Sequence, residues 1–393
     1  MKKLIALLLA LAMVFGMVAC GAKEEAAPEA APEAAPEAAP EAAPEAAPEA
    51  APEAAPEAAP EAEAETLYIP VMAKGFQHQF WQAVAAGSQA AADEYGVEIY
   101  FDGPASETEI AAQVNMIEQE MAKNPKALAL AALDTSAVAD ILDECAEKGI
   151  PVIGFDSGVP GDTSGAVKAT ACTNNEAAAA IAAEKFGENA DLVAKMQAAT
   201  TDAPVIIAVL SQDAFSASVT GRTTGFVNKM KEVAAQYGTV AVTGHDKWAE
   251  GDAAAATIQI EVAVSATTEA VDVQNSANAL LAKPELAAVF CSNEGTVTGF
   301  LSAVSDGEDL ADGGKYEDLV VAGFDAGAAQ KNAVRQGWFY GSVTQDPYHI
   351  GYYAVEMAVA AAKGEAVADK DTGAKWYDAS NIEDPDIALL VYD

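Results

Sequence analysis

The sequence is poor in basic residues, cysteine and histidine. Its 393 residues include 60 Asp+Glu against 21 Lys+Arg, a formal net charge of −39, which excludes a nucleic-acid binder built on basic patches. Four cysteines cannot supply a disulfide framework for a chain of this length. Cys145, Cys172 and Cys291 flank or lie in apolar stretches, which is typical of buried free thiols.

The chain also lacks recognisable catalytic and metal-binding motifs. It has no Gly-x-Ser-x-Gly elbow, no Walker loop, no Gly-x-Gly-x-x-Gly opening a helix after a strand, and no Cys-x-x-Cys. His78, His245 and His349 stand too far apart in sequence to suggest a metal site. We therefore expect no cofactor, no metal and no enzymatic activity.

The first 20 residues have the pattern of a secretory signal peptide. Lys2 and Lys3 precede an apolar run from Leu4 to Val18, about 15 residues, whereas a membrane-spanning helix needs about 20. The end of the leader, Met17-Val18-Ala19-Cys20, resembles a bacterial lipobox, which makes Cys20 the predicted lipidated residue and membrane anchor. The alternative is ordinary secretion, with cleavage near Ala19.

Residues 21–65 have the composition of a spacer. From Ala26 to Glu61 the segment repeats Ala-Ala-Pro-Glu, with proline at every fourth position from Pro28 to Pro60. Proline at this period prevents an α-helix despite the alanine content, and the repeat has no core to build. We predict a disordered, extended stalk, with a reach on the order of 140 Å at about 3.1 Å per residue.

After Thr66 the sequence alternates short β-rich runs with alanine-rich amphipathic stretches, which is typical of parallel α/β sheets. The predicted strands are Leu67–Met72, Val97–Phe101, Ala127–Ala131, Val152–Phe155, Val205–Leu210, Thr239–Thr243, Ala287–Cys291, Leu319–Phe324 and Tyr340–Thr344. The predicted helices lie near 80–95, 107–123, 136–148, 175–189, 218–236, 252–282, 295–305, 327–336 and 348–363. These elements are too many for one small sheet, so we predict two doubly wound lobes.

Ligands of such folds bind where loops leave the carboxyl ends of the strands, and here those loops carry polar and aromatic residues. Their motifs resemble the ribose-binding type I periplasmic-binding-protein family, the sugar-binding proteins of bacterial ABC importers. The resemblance covers residues 66–393 and rests on His78-Gln79-Phe80-Trp81, Val152–Asp156, Ser218–Phe226, Trp248, Val289–Glu294, Val321–Asp325 and Thr344–Pro347.

The resemblance implies a sugar site made of aromatic rings, carboxylates and hydrogen-bond donors. The implied ligand residues are Lys74, His78, Phe80, Trp81, Asp156, Ser157, Arg222, Trp248, Asn293, Asp325 and Gln345. Ser157 stands where ribose binders carry arginine, and Lys74 where they carry serine. The implied partners are a small sugar and the membrane permease of an ABC importer, with the protein acting as a monomer in the cell envelope.

The resemblance also implies a hinge of three segments, near residues 173, 345 and 372. The predicted first lobe is then 66–173 plus 346–372, and the second is 174–345 plus 373–393.

Other ligands and functions remain open. Lys74, Asp156 and the stretch Tyr100–Pro104 resemble receptors for the furanosyl signal autoinducer-2, but Gly221-Arg222 replaces the Asp-Gln pair of those receptors. A carbohydrate-cleaving enzyme would need a pair of carboxylates, which Asp156 and Asp325 offer without any further catalytic signature. A sensory role through a receptor kinase or chemoreceptor is also open. A transcriptional regulator is disfavoured by the leader and by the lack of a helix-turn-helix.

Overall fold

The computed structural model describes residues 66–76 and 78–392. The leader, Cys20 and the predicted stalk lie outside the described residues. The strands are β1 Tyr68–Met72, β2 Glu98–Asp102, β3 Leu128–Leu130, β4 Val152–Phe155, β5 Val167–Cys172, β6 Val205–Ser211, β7 Val240–Gly244, β8 Ile258–Val264, β9 Leu286–Cys291, β10 Val320–Phe324, β11 Gly341–Gln345, β12 Lys370–Asp371 and β13 Ala374–Tyr377.

The helices pack on the faces of the sheets, as expected for crossovers between parallel strands. They are α1 Gln79–Tyr95, α2 Ile110–Met121, α3 Ala139–Lys148, α4 Asn175–Glu188, α5 Ala190–Ala198, α6 Ala217–Ala234, α7 Ala270–Leu281, α8 Glu294–Ala303, α9 Ala328–Arg335, α10 Pro347–Ala362 and α11 Pro385–Ala388, with a 3₁₀ helix at Ser305–Leu310. Within the described residues, no helix combines the length and the apolar character that a membrane crossing requires.

The strands form two sheets, one in each lobe. The first lobe has the order β12-β5-β4-β3-β1-β2, and the second has the order β13-β11-β10-β9-β6-β8-β7. All pairings are parallel except that β13 runs antiparallel to β11. The predicted architecture of two doubly wound lobes is confirmed.

One predicted helix is wrong in its first half. The stretch assigned to a helix over 252–282 contains strand β8, and only α7 is helical. In β8, Ile258, Ile260 and Val262 are buried while Gln259 and Glu261 are partly exposed. This alternation has the period of a strand, and the flanking alanines concealed it. Strands β5, β12 and β13 and helices α5 and α11 were also not predicted.

The chain passes between the lobes three times. The crossings follow β5 at Cys172, β11 at Gln345 and β12 at Asp371. Two crossings are hydrogen-bonded to each other, since Thr173 Oγ1 donates to the Gly373 carbonyl at 3.2 Å and Asn174 N donates to Asp371 Oδ1 at 3.1 Å. The lobes are therefore interleaved along the sequence.

Close helix packing holds each lobe together. In the first lobe α1 packs along α10, and in the second α4 packs along α6. A Cβ added at Gly87 of α1 would lie 1.9 Å from the Tyr348 carbonyl oxygen of α10, and one added at Gly225 of α6 would lie 2.2 Å from the Glu176 carbonyl oxygen of α4. Both positions therefore require glycine because the two backbones touch.

Candidate ligand-binding site

The carboxyl ends of strands from both sheets meet around one small cavity of about 20 Å³. Asp156 follows β4, Asp325 follows β10 and Gln345 ends β11, so that strand ends alone bring these three side chains together. The residues that line the cavity are Lys74, His78, Phe80, Trp81, Glu107, Asp156, Val219, Arg222, Asn293, Glu294, Asp325 and Gln345.

Equivalent aspartates mark the two halves of the site. Asp156 and Asp325 each come directly after a strand, and both have positive φ, 52° and 78°. Aspartate is one of the few residues with a side chain that adopts this left-handed conformation readily. The backbone turn at each strand end therefore directs a carboxylate into the space between the lobes.

Lys74 joins the lobes on one side of the cavity. Lys74 is 4% exposed, and its Nζ lies 2.9 Å from Asp156 Oδ2 in its own lobe. The same Nζ donates to Ser216 Oγ at 3.2 Å and to Ser218 Oγ at 3.1 Å, both in the second lobe. Burial alone lowers the pKa of Lys74, but the carboxylates of Asp156 and Glu107 outweigh it, and the pKa is raised. The ammonium is therefore charged and fully partnered.

Arg222, on α6, lies against the other aspartate. Its Nη1 donates to the Ser292 carbonyl at 3.2 Å and lies 3.4 Å from Asp325 Oδ2, while its Nε donates to Asn175 Oδ1 at 2.8 Å. The guanidinium also lies 4.0 Å from the centre of the Phe324 ring. These contacts fix a rigid cation in the wall of the second lobe.

Asp325 is the centre of the hydrogen bonds in the second lobe. Besides Arg222, it accepts from Gln345 Nε2 at 2.6 Å on Oδ1 and from Glu294 N at 3.0 Å on Oδ2. Arg222 Nη2 lies 3.9 Å from Asp156 Oδ1 of the first lobe. The two aspartates and the arginine thus form one chain of charges across the lobes.

Glu107 lines the cavity, although the sequence did not single it out. Its carboxylate accepts from Trp81 Nε1 at 2.9 Å and from Gln212 Nε2 at 2.8 Å, and Gln212 in turn accepts from Asn293 Nδ2 at 2.7 Å. Burial raises the pKa of Glu107, but Lys74, His78 and these donors hold it below its ordinary value. The predicted helix over 107–123 begins only at Ile110, so this residue lies on a loop.

Glu294 is the second lining residue that the sequence prediction missed. It belongs to the second lobe, yet its carboxylate accepts from the backbone N–H groups of Gln79 and Phe80, both at 3.2 Å, at the amino end of α1. An anion is favoured there because these N–H groups lack partners within the helix. Burial nevertheless raises the pKa of Glu294, and the nearby Asp325 carboxylate adds to this effect.

The aromatic residues of the first lobe form one wall of the cavity. The rings of Phe80 and Trp81 meet edge to face at 5.0 Å, and Trp81 also packs edge-on against Phe155 at 6.4 Å. His78 immediately precedes α1 and lines the cavity together with Glu107 and Glu294, whose pKa values its electrostatic interaction lowers. The wall therefore offers apolar surface next to charged groups.

Two predicted ligand residues do not line this cavity. Ser157 is buried, and its hydroxyl donates to the Ala132 carbonyl at 2.9 Å. Trp248 is half-buried against the core of the second lobe, with its Nε1 donating to Thr224 Oγ1 at 2.9 Å. Both side chains have structural partners of their own.

Larger depressions exist on the surface but differ in chemistry. One of about 610 Å³ lies at the amino end of the second sheet, lined by charged residues that are exposed or half-buried, such as Lys283, Glu285 and Lys315. Among the described residues, no group of three or more His, Cys, Asp or Glu side chains is arranged to hold a metal ion. The buried polar cavity between the lobes is therefore the candidate site.

Two α/β lobes that enclose buried polar groups at the carboxyl ends of their strands can hold a small polar solute between them. Residues 69–366 match the family described as the periplasmic binding protein domain. The chain belongs to this family, and the resemblance predicted from the sequence is confirmed.

Three relatives are similar to the chain over most of its length. A solved structure from Brachyspira murdochii, described as an ABC transporter, LacI family transcriptional regulator, is 42% identical with a TM-score of 0.70, over 84% of this chain and 99% of that chain. A carbohydrate transporter solute-binding protein from Agrobacterium radiobacter, in complex with D-arabinose, is 27% identical with a TM-score of 0.67, over 84% and 100%. The D-allose-binding periplasmic protein of Escherichia coli (strain K12) is 25% identical over 305 residues, 77% of this chain and 86% of that protein.

Proposed function

We propose that this protein is an extracytoplasmic solute-binding protein that captures a small sugar between its lobes and delivers it to the permease of an ABC importer. The observation that carries the proposal is the convergence of Asp156, Asp325, Arg222 and Asn293 on one buried cavity beside the Phe80–Trp81 wall. Carboxylates accept from sugar hydroxyls, guanidinium and amide groups donate to them, and rings cover the apolar faces of a pyranose or furanose. The D-arabinose complex and the D-allose-binding protein among its relatives support this ligand class.

Capture works by closure of the lobes about the three crossings, which we propose as the hinge. The lobes are then 66–173 plus 346–372 and 174–345 plus 373–393. A ligand that contacts both lobes stabilises the closed arrangement over the open one, and only that difference moves the equilibrium. The contacts of Lys74 with Ser216 and Ser218, and of Glu294 with α1, are the bonds that closure makes.

The carboxylates of the cavity bind the sugar and do not catalyse its hydrolysis. Hydrolysis of a glycoside uses one carboxyl as acid and a second as nucleophile or base. Asp156 is held by Lys74, and Asp325 is held by Arg222 and Gln345, so both act as fixed acceptors. Incubation with a glycoside of the best ligand, followed by product analysis, should show no turnover; release of free sugar would overturn this assignment.

The proposed location rests on the leader and the repeat. Cys20 carries the lipid that anchors the mature chain to the membrane, and residues 21–65 act as a tether that holds the two lobes away from it. Family membership supports an extracytoplasmic location.

The ligand class is tested by a thermal-shift panel of monosaccharides on the purified chain, followed by calorimetry. A ligand at 100 times its Kd should add about 2.7 kcal/mol to the free energy of unfolding. Small-angle scattering with the best ligand should show a smaller radius of gyration. If no sugar raises the melting temperature, the proposed function is wrong.

A second candidate ligand is autoinducer-2, which the panel includes. The buried Lys74–Asp156 pair at 2.9 Å favours it, because lysine and aspartate are the two residue types that the resemblance to its receptors implies. Stabilisation by autoinducer-2 but by no ordinary monosaccharide would select this candidate.

A further inference from the structure

The charges that line the cavity do not balance. Its buried carboxylates are Glu107, Asp156, Glu294 and Asp325, and its buried permanent cations are Lys74 and Arg222. With all four carboxylates ionised, the negative groups exceed the positive ones by two when His78 is neutral and by one when it is protonated. Excess charge in a buried site is costly unless a partner of opposite charge neutralises it.

The hydrogen-bond donors of the site are largely engaged by protein acceptors. Lys74 Nζ has three partners for its three protons, and Asn293 Nδ2 donates to Gln212. Arg222 donates through Nε and Nη1, and its Nη2 lies 3.9 Å from Asp156. The ammonium of Lys74 and the Nε and Nη1 groups of Arg222 are therefore already hydrogen-bonded to protein acceptors, whereas Arg222 Nη2 has no acceptor within hydrogen-bond distance among the described contacts.

One acceptor has no partner in the protein. Gln345 is 1% exposed and lines the cavity, and its Oε1 has no hydrogen-bond partner. Its Nε2 donates to Asp325 Oδ1, whereas Arg222 and the backbone N–H of Glu294 donate to the other carboxylate oxygen, Oδ2. A buried acceptor without a donor is costly, so this position calls for a donor from the ligand.

We propose that the preferred ligand is an amino sugar, a monosaccharide with a protonated amine that donates to Gln345 Oε1. An ammonium brings three donors, no acceptor and one positive charge. It supplies the missing donor and reduces the negative excess in the same step. This inference rests on the proposed function, since it specifies the class of sugar that the same cavity takes.

Calorimetry on the full chain at neutral pH tests the inference with matched ligands. Glucose, galactose and mannose are each compared with the 2-amino-2-deoxy form, which is nearly the same size, and with the N-acetylated form, which carries no charge. At least one amino form should bind about 10-fold or more tightly than both its neutral counterparts, as expected when a charged hydrogen bond replaces a neutral one.

A charge-removing variant gives an independent measurement. Glu107→Gln should reduce the ratio of amino-sugar to parent-sugar affinity by about 3- to 15-fold, since it removes one negative charge from the cavity wall. The ratio cancels any general loss of binding. Glu285→Gln, at an exposed turn at the far end of β9, should leave the ratio unchanged. If Glu107→Gln does not fold, the matched ligands alone decide.

The outcomes separate the two proposals. Tight binding of a neutral monosaccharide, with its amino form equal or weaker, would overturn the amino-sugar inference and leave the proposed function standing. Failure of every sugar, charged or neutral, would overturn both.

Discussion

Replacing Asp325 with asparagine tests the site at its most connected residue. The carboxylate accepts hydrogen bonds from Gln345 Nε2 at 2.6 Å, Glu294 N at 3.0 Å and Arg222 Nη1 at 3.4 Å. Asparagine keeps the size of the side chain and also tolerates the positive φ of 78°, which alanine would not. The substitution therefore removes charge without straining the backbone.

The substitution is expected to weaken both sugar binding and the stability of the fold. The amide of asparagine offers one acceptor oxygen, and its NH₂ group faces a donor that the carboxylate had satisfied. A sugar hydroxyl that donates to this carboxylate would lose a charged hydrogen bond, which costs about 1.5–3 kcal/mol and corresponds to a Kd about 10- to 150-fold weaker. Arg222, 3% exposed, would lose its nearer carboxylate and keep only the more distant one of Asp156 at 3.9 Å, so the melting temperature should fall as well.

Isothermal titration with the tightest sugar of the panel measures the affinity, and thermal unfolding without ligand measures the stability. Asp202→Asn is the matched control, because Asp202 is exposed on the turn before β6, at the opposite end of that strand from the cavity. It should bind as the parent does. If Asp325→Asn also binds as tightly as the parent, the assigned site is wrong even though the fold is right.

Four further predictions follow from the same reasoning. Cys20→Ala should move the protein from the membrane fraction to the soluble extract; retention in the membrane would refute lipid anchoring. Deleting residues 24–62 should leave the sugar Kd and the melting temperature unchanged, since the repeat offers little apolar surface for packing, and a large loss of stability would contradict the assignment as a tether. The folded-state pKa of Glu107 lies below its ordinary 4.5, so ionised Glu107 stabilises the fold above pH 4.5, and this stabilisation disappears as the pH falls through the lowered pKa. Glu107→Gln should therefore make the fall in stability on the acid side of a stability–pH curve shallower. A curve identical to that of the parent would count against the contacts assigned to Glu107. Gly87→Ala should lower the free energy of unfolding, measured by chemical denaturation, by about 1–3 kcal/mol, because its Cβ would lie 1.9 Å from the Tyr348 carbonyl oxygen. Unchanged stability would show that α1 and α10 separate easily.

The alternation of short β-branched runs with alanine-rich amphipathic stretches was sufficient to determine the α/β class and the two lobes. A central strand of a parallel sheet is buried on both faces, so runs such as Val205–Ser211 are recognisable without any knowledge of their neighbours. Strand β8 was missed because its alternating pattern, partly exposed at Gln259 and Glu261, is weaker than a fully buried run and is bordered by alanine.

Part of the site was predictable for a geometric reason. Carboxyl ends of parallel strands converge, so polar residues that directly follow strands, such as Asp156 and Asp325, meet once the sheets form. Trp248, which follows β7 in a loop, does not line the cavity, because its side chain packs against the core of the second lobe and donates to Thr224. Sequence position alone does not specify the direction of a side chain.

Glu107 and Glu294 were revealed only by the tertiary structure. Glu294 contacts residues more than 200 positions earlier, at the amino end of α1, and Glu107 lies on a loop beside Trp81 and Gln212. Such contacts depend on how one lobe faces the other, which no local pattern of hydrophobicity encodes. The sequence by itself therefore determined the lobes and the strand-end residues, whereas the excess of buried carboxylates in the cavity arose from the packing of one lobe against the other.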